Sequence, residues 1–274
     1  MEIIVWGTRG SIASAGPDTV RYGGNTSCLT AATDDVICIL DAGTGLRLAG
    51  AVCSMDRRPI HLLLTHLHMD HIQGLGFFPP LLEAGREVVI WGPPSPTQDL
   101  RSRLTRYLSP PLFPVRIRDL GSNISIRDAP TGRLPIEGIE VVAAPIIHSG
   151  PTLGYRVRGA SGSFAYLPDH EPALGGGLGP ETWLSGFDLA SGVDILFHDA
   201  QYSAEEYAQR VGWGHSSIVD CVAFADRARA RQLLLFHHDP EHDDDAVDGL
   251  VDLAVSLRRE GHTDAAREGM RIWL

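Results

Sequence analysis

The sequence predicts an α/β protein in which sheets are covered by helices. Short apolar runs bounded by turn residues recur along the chain, and two of them (61–65 and 232–236) lack polar alternation, as in strands buried on both faces. Helical apolar stripes follow later in the chain. Two halves are visible, each opening strand-rich and closing with helices. No long polar linker divides them, so residues 1–274 read as one unit.

Residues 3–6 form the opening strand, and the stretch 7–24, rich in Gly, Ser and Pro, is a loop. Strands over 27–33 and 36–40 meet at Asp34-Asp35, a pair suited to a hairpin turn. Asp41-Ala42-Gly43-Thr44-Gly45 breaks the pattern before a short helix over 46–53. The buried strand over 61–65 precedes a short helix expected over 72–78, which Pro79-Pro80 ends. A strand follows at 87–91. Leu100, Leu104 and Leu108 line one side of a helix over 97–107, and Pro110, Pro111 and Pro114 stop it. Strands are expected at 115–120, 123–127 and 139–144, and a hairpin at 152–158 and 163–167. The pattern then becomes αβα. A strand over 193–197 ends at His198, and Ile218, Cys221, Val222, Ala225 and Ala228 form a helical stripe. The strand over 232–236 precedes a helix marked by Val247, Leu250, Ala254 and Leu257. Asp243-Asp244-Asp245 at its start suit the positive end of a helix. Residues 270–274 close the chain as a short strand. Gly175-Gly176-Gly177 is a surface loop, because it lacks the strand–turn–helix setting of a phosphate grip.

With 43% hydrophobic and 21% charged residues, the chain can bury a substantial core without metal or disulfide support. A net charge of −11, from 23 basic and 34 acidic residues, disfavours a broad unaided nucleic-acid surface. Carboxylates that hold cations would change the local sign. The four cysteines form no CxxC pair and read as small buried residues. The chain opens directly as a strand, and no run reaches membrane-spanning length. No membrane partner and a cytoplasmic location are therefore expected.

Chemistry concentrates in His66-Leu67-His68-Met69-Asp70-His71, which puts four donors within six residues directly after a buried strand. A strand exit fixes backbone direction while the loop beyond it varies. Imidazole and carboxylate suit zinc, manganese or iron. A tight turn would set His66 and His68 at one ion and aim Asp70 and His71 at a second. His148, Asp169 and His237 each follow an apolar segment, so convergence on the same rim is expected. The plain alternatives are a polar turn rich in histidine, and capping or loop roles for the three distant residues.

These residues, together with Asp41-Ala42-Gly43-Thr44-Gly45, resemble the metallo-β-lactamase fold superfamily. The resemblance covers nearly the whole chain. It looks closest to the phosphodiesterase branch, which includes the cyclic-phosphate enzyme of phosphonate metabolism and the tRNA 3′-end endonuclease. Trp6-Gly7-Thr8-Arg9-Gly10-Ser11 and Gly23-Gly24-Asn25-Thr26-Ser27-Cys28 carry that part of it. The resemblance implies a four-layer αββα sandwich of two mixed sheets. It also implies two divalent metal ions, zinc or manganese first and iron admissible. One would be held by His66, His68 and His148, the other by Asp70, His71 and His237, with Asp169 bridging. Asp41 would orient a ligand imidazole, a simple turn role being the alternative.

Gly212-Trp213-Gly214-His215-Ser216-Ser217 resembles the Gly-His-Ser segment of the tRNA-processing relatives. That implies a His215 that contacts the scissile phosphate and helps the leaving group. Asp194-Ile195-Leu196-Phe197-His198-Asp199-Ala200 resembles their His-Glu-Ala-Thr segment, but Asp199 stands in place of the glutamate. Tyr166 replaces a second glutamate, so the support of His215 must be built differently.

The expected reaction is in-line attack on a phosphodiester by a hydroxide shared between the ions. His215 would give a hydrogen bond or a proton. Asp70 is a ligand first, with proton acceptance as its competing role. A cyclic nucleotide or another small cyclic phosphodiester is the first substrate expected. The alternatives are an RNA 3′-processing endonuclease, a β-lactamase or thioester hydrolase, and a non-catalytic metal-binding module. A homodimer is a family-based expectation. Arg101, Arg103, Arg106, Arg116 and Arg118 either guide phosphate or solvate a helical face, the latter being preferred. Arg9 and Asn25 read as loop stabilisers before substrate contacts. Trp213 is either a pocket wall or packs beside a helix.

Overall fold

The computed structural model describes residues 1–179 and 184–274. Strands β1 (Glu2–Gly7), β2 (Cys28–Ala32), β3 (Ile37–Leu40), β4 (Ile60–Leu63), β5 (Glu87–Gly92) and β6 (Asn123–Asp128) belong to one sheet. The second sheet holds β7 (Gly132–Arg133), β8 (Glu140–Pro145), β9 (Leu153–Arg158), β10 (Ser163–Leu167), β11 (Ile195–Asp199), β12 (Gln232–Phe236) and β13 (His262–Ala265). The last strand, β14 (Arg271–Trp273), returns to the first sheet and pairs antiparallel with β1. The orders are β14-β1-β2-β3-β4-β5-β6 and β13-β12-β11-β10-β9-β8-β7. In each sheet one run is parallel: β3 to β6, and β10 to β13. The remaining pairs are antiparallel, so both sheets are mixed.

Burial explains the layers. Ile3, Val5, Leu29, Phe164, Phe197 and Phe236 fill the space between the sheets. The outer face of the first sheet is covered by α1 (Leu46–Cys53) and α3 (Leu100–Tyr107), through Leu46, Leu62, Leu100 and Leu104. The outer face of the second is covered by α6 (Ile218–Ala228) and α7 (Asp244–Leu257), through Cys221, Phe224, Leu233 and Val247. The result is an αββα sandwich, as the resemblance implies. Each fully buried Leu or Phe stabilises it by about 1.5–3 kcal/mol. The starts of α6 and α7 are capped: Ser217 accepts from the Asp220 amide (3.1 Å), and Asp243 from the Ala246 amide (2.7 Å). No described helix is long and apolar enough to cross a membrane.

The structure departs from expectation in several places. The helix expected over 72–78 begins earlier, as α2 (Met69–Ile72), and a 3-10 turn follows at Leu75–Phe77. Two of the motif's donors therefore stand on a helix. Residues 115–120 hold a 3-10 turn at Ile117–Asp119, not a strand. There the Ile117 amide bonds to Leu108 O (3.2 Å) and the side chain packs into the cluster under α3. The short edge strands β7 and β13 have no apolar run to announce them. Nor do α4 (Phe187–Ala190) and α5 (Ala204–Tyr207), at four residues each. Finally, β11 runs through His198 to Asp199, so His198 is inside a strand, not past its end.

Candidate metal centre

The parallel strands deliver the site. Asp41 follows β3 and His237 follows β12, each with a left-handed backbone at φ 59 and 61 respectively. The ligand segment leaves β4 through Leu64 and Thr65. Asp41 fixes this exit by accepting from the Thr65 amide (2.7 Å) and the Thr65 hydroxyl (3.0 and 2.9 Å). Asp169 follows β10 by two residues and His148 follows β8 by three.

All seven predicted donors converge. The donor atoms of His66, His68 and His148 lie within 4.8 Å of one another, as do those of Asp70, His71, Asp169 and His237. Asp169 faces both groups. One of its oxygens is 3.7 Å from both His66 Nε2 and His148 Nε2 and 3.3 Å from His237 Nε2, and the other is 3.0 Å from His71 Nε2.

Outer hydrogen bonds set which imidazole nitrogen points inward. The Nδ1–H groups of His71, His148 and His237 donate to Asp41 Oδ2 (2.8 Å), Gly214 O (2.7 Å) and Gln201 Oε1 (3.1 Å). His66 Nδ1 lies 3.0 Å from the Thr65 hydroxyl. Asp70 Oδ2 accepts from the Ser11 amide (2.8 Å). Two glycines allow these approaches: a Cβ on Gly10 would lie 2.4 Å from His237 Nδ1, and one on Gly214 would lie 2.3 Å from His148 Nδ1. Gln201, Gly214 and Ser11 carried no sequence signal for these roles.

The donor chemistry fits two divalent cations. His66 Nε2 is buried and has no hydrogen-bond partner. Inward nitrogens face each other at 3.3 Å in both groups, His68 Nδ1 with His148 Nε2 and His71 Nε2 with His237 Nε2. Each such pair needs a shared proton or a metal cation between its nitrogens. Burial lowers the pKa of His66, His68 and His148, keeping them neutral and able to ligate. Burial opposes charge on His71 too, but Asp169, Asp70 and Asp41 together raise it well above the usual histidine range. Burial works against ionised Asp70, yet His71 and His237 hold it well below the carboxylate range. Asp169 is depressed in the same way, by His237, His71 and His66. A field of this kind favours concentrated positive charge.

His215 sits between the two donor groups. Its ring stacks on His237 (centroids 5.0 Å apart, planes at 16°) and meets His148 edge-on at 5.0 Å. Asp199 Oδ2 receives His215 Nδ1–H at 2.7 Å, and the same carboxylate accepts from the amides of His170, Gln201 and Ser216. Burial would lower His215, but Asp199, then Asp169 and Asp70, raise it to about 9. The aspartate that stands where the relatives carry glutamate is therefore what aims His215. Tyr166, at the other altered position, donates to Asp41 Oδ2 (3.1 Å) instead. Glu171 holds the loop itself, accepting from the amides of Gly212 (2.7 Å) and Gly214 (2.6 Å) and from the Tyr207 hydroxyl (2.9 Å).

Arg9 is fully buried and donates to Gly23 O and His242 O, and Asn25 is bound to Glu268; both stabilise loops. His198 is buried against His170 (3.0 Å). His238 donates to Ala266 O, and His242 pairs with Glu206. Trp213 is 61% exposed, with the Arg210 guanidinium 5.9 Å from its ring.

A family model described as a β-lactamase superfamily domain matches residues 38–238. The chain belongs to the metallo-β-lactamase superfamily. Ribonuclease Z of Mycobacterium sp. strain KMS is 28% identical over 271 residues, covering 88% of this chain and 85% of that protein. The metallo-β-lactamase fold protein YhfI of Bacillus subtilis superposes with a TM-score of 0.73 at 17% identity, over 99% of each chain. A diphosphatase of the PhnP family gives 0.71 at 18% identity, over 100% of this chain and 97% of that one. The structural likenesses show a shared fold. With its two His/Asp clusters, this superfamily member is a metal-dependent hydrolase.

Proposed function

We propose that the protein is a two-metal phosphodiesterase that cuts RNA near a 3′ end. The carrying observation is the place of His215, fixed by Asp199 and flanked by both donor groups. The ribonuclease Z relatives, matched along most of their length, support the same reading. His66, His68 and His148 would hold one cation and Asp70, His71 and His237 the other, with Asp169 shared. Bound zinc or manganese ions supply Lewis acidity at the phosphate and lower the pKa of water.

The chain's own residues do the rest. His215, protonated at neutral pH, donates to a phosphate oxygen or gives its proton to the leaving oxygen. Asp199 keeps it charged and aimed. Asp41, Gln201 and Gly214 O hold the ligand rings against rotation. Asp70 serves as a ligand; its amide contact with Ser11 leaves proton acceptance as a lesser role.

A small cyclic phosphodiester, the first substrate expected from the sequence, becomes the second reading. The net charge of −11 favours it, since a broad RNA grip needs a positive footprint. The test is turnover by zinc- or manganese-loaded protein on a 3′-extended tRNA, a cyclic nucleotide, bis(4-nitrophenyl) phosphate, a β-lactam and a glutathione thioester. The expected result is diester cleavage, with the RNA preferred over the cyclic nucleotide. Turnover of the β-lactam or thioester without any diester would overturn the proposal.

A further inference from the structure

Two clefts open from the ligand segment and share Leu67, His68 and Met69. One, of about 470 Å³, is bounded by Ser11, Asp70, Asp169, His215 and His237. The other, of about 430 Å³, runs from His66 and His68 past Ile72 to Arg103, Arg106 and Tyr107. Of the five arginines between 101 and 118, only Arg103 and Arg106 line it. Three residues apart on α3, they share a helix face.

The two arginines are placed differently. Arg103 is anchored: Nη2 donates to Pro93 O (2.5 Å) and lies 3.8 Å from Asp128 Oδ1, and 15% of its side chain is exposed. Its buried Nε has no hydrogen-bond partner. Arg106 is exposed and has no acidic partner among the described residues. Asp99 caps α3 by accepting from the Ser102 amide (2.9 Å), and the Tyr107 hydroxyl donates to Gln73 O (2.6 Å) just past α2. The arginine pair is thereby tied to the ligand segment. Met69 and Leu112, 51% and 70% exposed, give the cleft an apolar flank. In a chain this acidic, the Arg106 guanidinium, unpaired among the described residues, is suited to a second anion beside a phosphodiester site, because its donor fork matches phosphate.

We infer that this cleft is a subsite for the phosphate adjoining the scissile one in an oligonucleotide. Arg106 is its main contact and Arg103 its anchored support, and the apolar flank takes the intervening sugar and base. The inference rests on the phosphodiesterase reading and sharpens it: a cyclic mononucleotide has one phosphate and leaves the subsite unused.

The test compares two substrates of the metal-loaded full chain, thymidine 5′-(4-nitrophenyl phosphate) with and without a 3′-phosphate. The 3′-phosphate should raise kcat/KM about tenfold, the scale of one charge-assisted hydrogen bond. Arg106→Gln should bring that ratio close to one. Arg101→Gln, on the same helix but outside the cleft, should keep it. Calorimetric Kd values for thymidine 3′,5′-bisphosphate against thymidine 5′-monophosphate should shift in parallel. An unchanged ratio in Arg106→Gln, or no preference in the wild type, overturns the subsite while leaving the phosphodiesterase reading intact. If neither ester is cleaved by protein with both metals bound, that reading falls and the subsite with it.

Discussion

The ligand segment 66–71 and the His215 loop 212–217 bring side chains to one centre by different routes. In the first, donors are neighbours in sequence, placed by the exit of a buried strand and braced by Asp41 from the adjacent parallel strand. In the second, a single histidine is aimed by Asp199 at the end of β11, and its loop hangs on Glu171. In the proposed mechanism the first arrangement would hold cations and the second would position a proton, each braced by carboxylates remote in sequence. Damage to one should be separable from damage to the other.

The sharpest break is Asp169→Ala, which removes the carboxylate facing both donor groups. Metal analysis should show loss of paired occupancy, and turnover should disappear. His215→Ala should keep most metal and slow diester cleavage by roughly 10²–10⁴-fold. Normal turnover in that variant would erase the distinction between the two regions. Asp41→Asn attacks the brace of the first region, so metal affinity should fall by roughly 10–100-fold, read by competition with a chelating dye.

Asp199→Asn is the mildest. It should spare metal affinity and move the basic limb of the pH–rate profile to lower pH, because the charge that raises His215 is gone. The sign for stability follows from that raised value. The His215–Asp199 pair stabilises the fold fully below the ordinary histidine value of 6.5, and this contribution fades as pH rises through about 9. Urea midpoints across that window should fall less in the Asn variant than in the wild type.

Much of this was legible in the sequence where burial is two-sided. β12 matches its apolar run, and β4 differs by starting at Ile60 and ending at Leu63, because parallel strands under helices leave no polar face to blur the signal. The donors were legible because strand exits and histidine spacing coincide. β13, with the sequence HTDA, was not, since an edge strand needs only one buried face. Residues 115–120 alternate like a strand, yet β6 already forms the sheet edge and Ile117 is drawn under α3. Glu171 was hidden, and the role of Asp199, marked only by the resemblance, stayed open, for another reason. Their partners are mainly backbone amides, and amides carry no residue identity.

The bends at Asp41 and His237 have a consequence for heat resistance. A left-handed residue other than glycine costs on the order of 1–2 kcal/mol, and aspartate tolerates it better than histidine does. At 237 the backbone is thus held away from its own optimum so that one ring can face inward. A glycine there would relax the bend, but it would also empty the space that the buried, stacked ring fills, so heat resistance would not rise. The strain persists at that single residue because the packed ring it turns inward more than offsets it.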